Sequence, residues 1–371
     1  MNGSSILFIG RDSGTSRHRA LALRRLGYQV HVIDPLSLYS NGSLVDKWSW
    51  HTGGLFLETI SRKKLLASIP PIAFSLVYVE GGELIGPFLV QELKTLFGTV
   101  INYNIDDPYG GRDGLRWRLY KEAVPFYDLV VVLRECNVAE AFAQGATNVT
   151  RVFMSADEVA HVAQYITDAD ARRFASDVAF VGTWMPERGP FLARLAALNV
   201  PLSIYGDRWQ KAPEWPVLKA FWRGPGTYDD KEYAKVIQCA KVNLGLLSKG
   251  NRDLSTTRSF EIPLLGGVLC AERTSEHAHL YSENEEAVFW ESPEECAQKC
   301  FQLLQNPEHR KSIARNGQKR CVKNGTTNQV VLSRILCAAH NQSVRPATET
   351  NRLENSISNR ETANCSGLKK S

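Results

Sequence analysis

The stretch TTRSFEIPLLGGVLCAE, residues 256–272, sets the reading of the whole chain. Thr256-Thr257 and Arg258 open an apolar helical run that carries Glu261 and stops at Gly266-Gly267. A short apolar strand, Val268-Leu269-Cys270-Ala271, comes next. Loop, helix, glycine stop and strand in that order make one turn of an α/β sheet. A helix N-terminus offers unpaired N–H groups and partial positive charge, which suits a phosphate, and Arg258 adds a bidentate donor beside it. Glu261 either accepts hydrogen bonds from a vicinal diol such as ribose or simply complements the helix dipole. Phosphate donors beside a diol acceptor are what a nucleotide diphosphate requires.

Working outward, the same alternation recurs. DVAFV, residues 177–181, is a strand that ends in Gly182-Thr183-Trp184-Met185-Pro186-Glu187-Arg188-Gly189, ahead of a helix over 191–198. That loop is a second phosphate-type turn, with Arg188 either a ligand or a surface charge. Strands are expected at 202–205, 242–247 and 287–290, with helices at 231–239, 274–281, 293–304, 307–322 and 328–339. Trp209, Trp215 and Trp222 cluster as aromatics after the 202–205 strand, and Tyr228 precedes a helix. His277 and His279 stand two apart, on different helical faces, and make a poor metal pair.

The first half reads likewise. A strand at 5–9, a polar loop, a helix to Leu26 and a strand at 28–33 form a β-α-β unit, which implies a parallel sheet. It lacks G-x-G-x-x-G, so neither a dinucleotide fingerprint nor a Rossmann dehydrogenase is supported. Asp12, Ser13, Thr15 and His18 are candidates to line the loop; otherwise Thr15 or Ser16 caps the helix and His18 is solvated. Residues 36–54 read as irregular, with Trp48, Trp50 and His51. Helices are expected over 55–69, 86–97, 112–126 and 137–144, and strands over 74–79, 100–105, 128–133 and 148–153. The 100–105 strand runs into Asp106-Asp107-Pro108-Tyr109-Gly110-Gly111. This is either a site carboxylate pair or an Asx-turn before proline. Asp157 and His161 either face a cleft or belong to a linker turn.

Composition narrows the class. With 371 residues, 43% of them hydrophobic and 22% charged, the chain is long enough for two globular domains. A net charge of +5 is too thin for a nucleic-acid surface and suits anionic ligands or an anionic membrane. Eight cysteines are scattered without C-x-x-C, and Cys296 and Cys300, one helical turn apart, read as reduced core thiols. No metal cluster is expected. The N-terminus has no basic region before its apolar run, and no run reaches a membrane span, so a cytoplasmic protein is expected.

The segment SFEIPLLGG resembles the Glu-Ala/Ile-x-x-x-Gly segment of the donor domain in GT-B glycosyltransferases, closest to the spore-maturation, CgeB-like branch of the family-1-type enzymes. Asp106-Asp107-Pro108 is similar to a feature of that branch. The resemblance implies an α/β fold of two Rossmann-like doubly wound domains facing across a cleft, with a C-terminal helix crossing back. The divisions expected are an acceptor-side domain over 1–160, a donor domain over 161–325, a crossover helix over 326–340 and a disordered polar tail over 341–371.

Related retaining enzymes carry two glutamates in this region; here Asp253, eight positions before Glu261, takes the first place. The implied donor-binding set is Arg188, Asp253, Thr257, Arg258, Glu261 and Gly266. Asp106, Asp107 and His18 are the catalytic candidates. The implied function is metal-independent transfer of a sugar from a nucleotide-diphosphate sugar to an unidentified hydroxyl acceptor, with no cofactor and no metal on an Asp-x-Asp. Membrane contact is expected only if the acceptor is a lipid. The alternative is a non-catalytic GT-B scaffold that binds a sugar nucleotide or glycan in a coat or structural role.

Overall fold

The computed structural model describes residues 4–226 and 229–343. Tyr228 and all of the expected tail except its first three residues lie outside this range.

Two parallel sheets of six strands organise the chain. The first holds β1 Ser5–Ile9, β2 Gln29–Ile33, β3 Leu76–Glu80, β4 Val100–Tyr103, β5 Leu129–Val132 and β6 Val149–Arg151. Their order is β2-β1-β3-β4-β5-β6. The second holds β7 Ser176–Val181, β8 Leu202–Tyr205, β9 Trp222–Gly224, β10 Ala240–Gly245, β11 Leu269–Glu272 and β12 Val288–Trp290, in the order β12-β11-β10-β7-β8-β9. Helices cover both faces, so the central strands are mostly apolar; in β1, Ile6, Leu7, Phe8 and Ile9 are all fully buried. Chain order reverses between β1 and β3 in the first sheet and between β7 and β10 in the second. Ligands of open α/β sheets bind beyond the carboxyl ends of strands at such reversals.

One apolar cluster joins the lobes, running from Phe8 and Tyr78 through Met154 and Ala156 to Phe260 and Phe289. The final helix, Asn328–Ser343, packs against the helix Gly14–Arg25 and against β5, back on the first sheet. It is tied to the crossing segment by Asn328, which bonds Ser155 at 2.6 Å and Asp157 at 2.9 Å. It runs through Ser343, so 341–343 are helical rather than the start of a polar tail.

Three local expectations change. Residues 36–54 are not irregular: Gly42–Thr52 is a helix, capped by the Asn41 side chain on the Leu44 amide and stopped by Gly53 at φ 65°. Its weak helix formers and exposed Leu44, Trp48 and Trp50 leave no buried stripe for periodicity to reveal. The helix expected over 112–126 shrinks to Arg118–Ala123, because Gly114 takes φ 57° and Asp113 bonds Arg112, Arg116 and Trp117 in turns. An unexpected helix, Asp168–Phe174, opens on a Thr167/Asp170 capping box.

Candidate functional site

Beyond β7 the chain turns at Gly182 and enters the helix Arg188–Ala197. The Arg188 guanidinium donates to the carbonyl oxygens of Thr183 at 2.9 Å, Leu246 at 3.2 Å and Leu247 at 3.3 Å. These carbonyls follow β7 and β10, the two strands that flank the reversal. Among the described residues, no carboxylate is within ion-pair distance of Arg188. Burial pushes its pKa down to about 10; like charge from Arg258 and Arg112 acts the same way, against partial relief from Glu187 and Asp253.

Arg258 and Glu261 sit on the helix Arg258–Leu264, which leads into β11. Arg258 Nε donates to the Val181 carbonyl at 3.0 Å, its terminal nitrogen pairs with Glu261, and its guanidinium lies 4.7 Å from the Tyr233 ring centroid. Glu261 also accepts from the Tyr233 hydroxyl at 2.8 Å. Burial opposes ionisation of Glu261, but Arg258, His161 and Tyr233 outweigh it and hold the carboxyl below its ordinary range.

The crossing segment supplies the opposite wall. His161 Nδ1 accepts from the Asp157 amide at 2.9 Å, which leaves a proton on Nε2 in the neutral ring. That nitrogen is 3.6 Å from Glu261 Oε1. Burial lowers the His161 pKa, so the ring is neutral at physiological pH. His18 packs edge-on to His161 at 5.5 Å and bonds Asp230 of the second lobe at 3.0 Å through Nε2. Its Nδ1 is buried without a partner. Asp157 takes the turn role: it accepts from the Val159 and Ala160 amides and, buried, pairs with Arg25 of the first lobe.

The loop 248–253 bridges the lobes. Ser248 accepts from Arg112 at 2.9 Å, and Arg252, at φ 53°, reaches Asp107 at 2.6 Å and Glu140 at 2.8 Å. Asp253 bonds Arg134 Nε at 2.9 Å. Burial costs the Asp253 carboxylate more than Arg134 returns, and its pKa is pushed up to about 6.

Several expected site residues are placed differently. Asp107 accepts from the Tyr109 and Gly110 amides, Asn137 and Arg252; burial opposes its ionisation, yet these partners hold its pKa low. It forms the Asx-turn and a lobe-to-lobe ion pair with Arg252. Its neighbour Asp106 is half-exposed, 3.2 Å from Arg116 and 3.4 Å from Asn251, and is the available carboxylate of the two. Asp253 faces Arg134 of the first lobe. Glu261 is buried, not open to a cleft, with only Oε1 free of a direct donor bond.

Thr257 precedes the helix with its hydroxyl 3.5 Å from Arg258. Gly266, at φ 77°, terminates the helix against Gln318 and is scaffold. Trp209 is core, donating to the Gly182 carbonyl at 3.0 Å, and Trp215 packs on Trp222; neither arrangement offers a base a platform.

The chain does carry one Asp-x-Asp, Asp168-Ala169-Asp170, in which Asp170 serves the capping box and bonds Lys235 at 2.9 Å. Cys270 joins Cys296 and Cys300, all buried in the second core with sulfurs within 4.8 Å. The sequence showed that trio only as a pair, because strand and helix bring it together. Arg134, Arg252 and Tyr233 escaped sequence reading altogether: each takes its meaning from a partner more than twenty residues away.

Two parallel-sheet lobes, each with ligand-type loops at its strand reversal and meeting across a bridged junction, make up the GT-B fold. The family described as "Glycosyl transferase-like" matches residues 188–336. Among solved structures the chain is similar to sucrose-phosphate synthase from Thermosynechococcus elongatus, with a TM-score of 0.66, 12% identity, and 92% of this chain and 100% of that one covered. HepE from Anabaena, in complex with UDP and glucose, aligns with a TM-score of 0.61 and 12% identity over 91% of this chain and 100% of its own. The UDP-forming α,α-trehalose-phosphate synthase from Burkholderia xenovorans gives 0.61 and 12% over 92% and 100%. No curated protein sequence matches the chain. Among the described residues, no helix is long and apolar enough to cross a membrane.

Proposed function

We propose that the protein is a glycosyltransferase that moves a sugar from a nucleotide-diphosphate sugar to a hydroxyl acceptor, with arginines rather than a divalent metal meeting the diphosphate. The observation that carries this reading is the desolvated pair Arg188 and Arg258, set at the carboxyl ends of β7 and β10, where Arg258 has one carboxylate partner, Glu261, and Arg188 binds only backbone carbonyls. A bound diphosphate would neutralise that surplus. As the C1–O bond to the β-phosphate breaks, its electron pair passes to a phosphate oxygen, where both guanidiniums stabilise the growing charge. The acceptor oxygen forms the new bond to C1 and gives up its proton, with Asp106 and His18 as candidate recipients. Glu261, ionised and held by Arg258 and Tyr233, has Oε1 left for a ribose hydroxyl. Asp253 and Thr257 position the loop rather than the donor.

HepE is solved with UDP and glucose, which makes UDP-glucose the first donor to try. Thermal shift and calorimetry against UDP-, GDP- and dTDP-sugars should show a melting-point rise with one of them, because a ligand of the native state raises its stability. Release of nucleotide diphosphate should depend on Glu261 and fall in Glu261→Gln. Binding without turnover in the presence of broad hydroxyl acceptors would favour the scaffold reading, and a wild-type chain that binds no nucleotide sugar would end both.

A further inference from the structure

The helices Gly42–Thr52 and Glu58–Ser68 form a hairpin that turns apolar side chains outward. Leu44 is 60% exposed, Trp48 48% and Phe56 80%. With Leu55 and Ile60 they line a groove of about 840 Å³. A contiguous apolar patch of this kind on a soluble surface marks an interaction site. Phe56 stands at φ 62°, a left-handed conformation unusual for a bulky residue, two residues after Gly54, which with Gly53 is at 74° and 65°. The turn thus holds the ring out in water on a strained backbone.

The charges around the groove are one-sided. Asp46 is taken by Arg11 at 2.8 Å, and Glu58 is turned to the Phe88 amide at 3.1 Å. Lys47 and His51 border the groove, and Lys63 is exposed on the second helix, where Lys64 is engaged by the Leu38 carbonyl at 2.9 Å. Two copies packed face to face would set these lysines against one another, which disfavours self-association. An apolar floor with a basic rim matches an anionic bilayer: Leu44, Phe56 and Ile60 enter the acyl boundary while lysines meet the headgroups. Trp48 donates its indole N–H to the Leu55 carbonyl at 2.9 Å, so its ring enters an apolar layer without stranding a donor.

The inner face of the same hairpin belongs to the lobe junction. Arg116, which bonds Asp106, lies 4.4 Å from the Trp50 ring centroid, and Arg11 in the β1 loop holds Asp46. We infer that the 42–68 hairpin docks the protein on an anionic membrane surface and so brings the first-lobe loops to a lipid-borne hydroxyl acceptor. The acceptor part rests on the glycosyltransferase reading; the docking itself does not.

The test uses the full chain without nucleotide sugar, sedimented with vesicles of phosphatidylcholine alone or mixed with phosphatidylglycerol. Binding to the mixed vesicles is expected, weakening as salt rises. The double variant Leu44→Ser, Phe56→Asn should lose about tenfold or more in vesicle affinity. It should keep its melting temperature, since both side chains are exposed and asparagine tolerates the left-handed backbone. Lys47→Glu with Lys63→Glu should abolish the preference for anionic vesicles. A wild-type chain that stays in the supernatant with both vesicle types, or a double variant that binds as the wild type does, overturns the proposal. So does a dimer in sedimentation velocity that the double variant splits, which would assign the groove to a second copy. None of these readouts involves a nucleotide sugar, so their failure leaves the donor-binding experiment to decide the activity on its own.

Discussion

Each lobe buries an arginine–glutamate pair beyond its central strands, and the two are built to different ends. In the first, Arg19 Nε donates to both oxygens of Glu80 at 2.9 and 2.8 Å, another nitrogen bonds Thr15 at 3.2 Å, and the guanidinium lies 4.7 Å from the Tyr103 ring centroid. Both side chains are almost wholly enclosed, one charge against one. In the second, Arg258 pairs with the carboxylate Glu261, while Arg188 has only carbonyl oxygens for direct partners. A closed pair is scaffold. An unbalanced set in a desolvated place favours an incoming negative charge, which is the basis of the proposed donor site.

The strongest test of this contrast is Arg19→Ala. It strands Glu80 in the core and should lower stability by about 3–5 kcal/mol in urea unfolding, while the protein that remains folded binds the donor as before. Loss of donor binding with stability intact would erase the distinction between the lobes. Arg188→Ala should do the reverse. Donor affinity should fall roughly 10- to 100-fold by calorimetry, the worth of a charge-assisted hydrogen bond, with stability unchanged or raised because a desolvated cation has gone. An unchanged affinity would mean the surplus charge has another purpose.

Arg252→Ala sharpens the comparison at the junction itself. It leaves Asp107 enclosed with only neutral donors, and about 1–3 kcal/mol of stability should be lost, read as a lower urea midpoint. No change in midpoint would mean that the loop 248–253 does not hold the lobes together.

The smallest expected effect is on pH. His161 is held below its ordinary pKa of 6.5 by burial, so its contribution is complete above 6.5 and is lost as pH falls through the lowered value. Asp253 has the opposite sign. Its pKa is raised from 3.8 to about 6, so its contribution is complete below 3.8 and is lost as pH rises through about 6. The melting temperature of His161→Asn should therefore fall less on acidification than that of the wild type, and that of Asp253→Asn should fall more. Identical slopes in all three would show that neither group couples to folding.

The alternation of apolar strands with glycine-stopped helices was enough to place most strands and helices, since sheets covered on both faces leave continuous apolar runs in sequence. It missed Gly42–Thr52 because that helix buries so little. The positions of Arg188, Arg258 and Glu261 on helices beside strand ends were legible from turn chemistry. Asp107 read equally well as an acid or a turn, and only the reach of Arg252 across 145 positions settled it as a turn and tie.

The sequence by itself determined the parallel α/β architecture, the two halves and the loops that end their strands, because backbone periodicity and glycine stops are local properties. Which charges are matched and which are left over was decided only by tertiary structure. Charge balance depends on what distant strands and loops bring within a few ångströms and on how much water they exclude, and neither quantity is written in neighbouring residues.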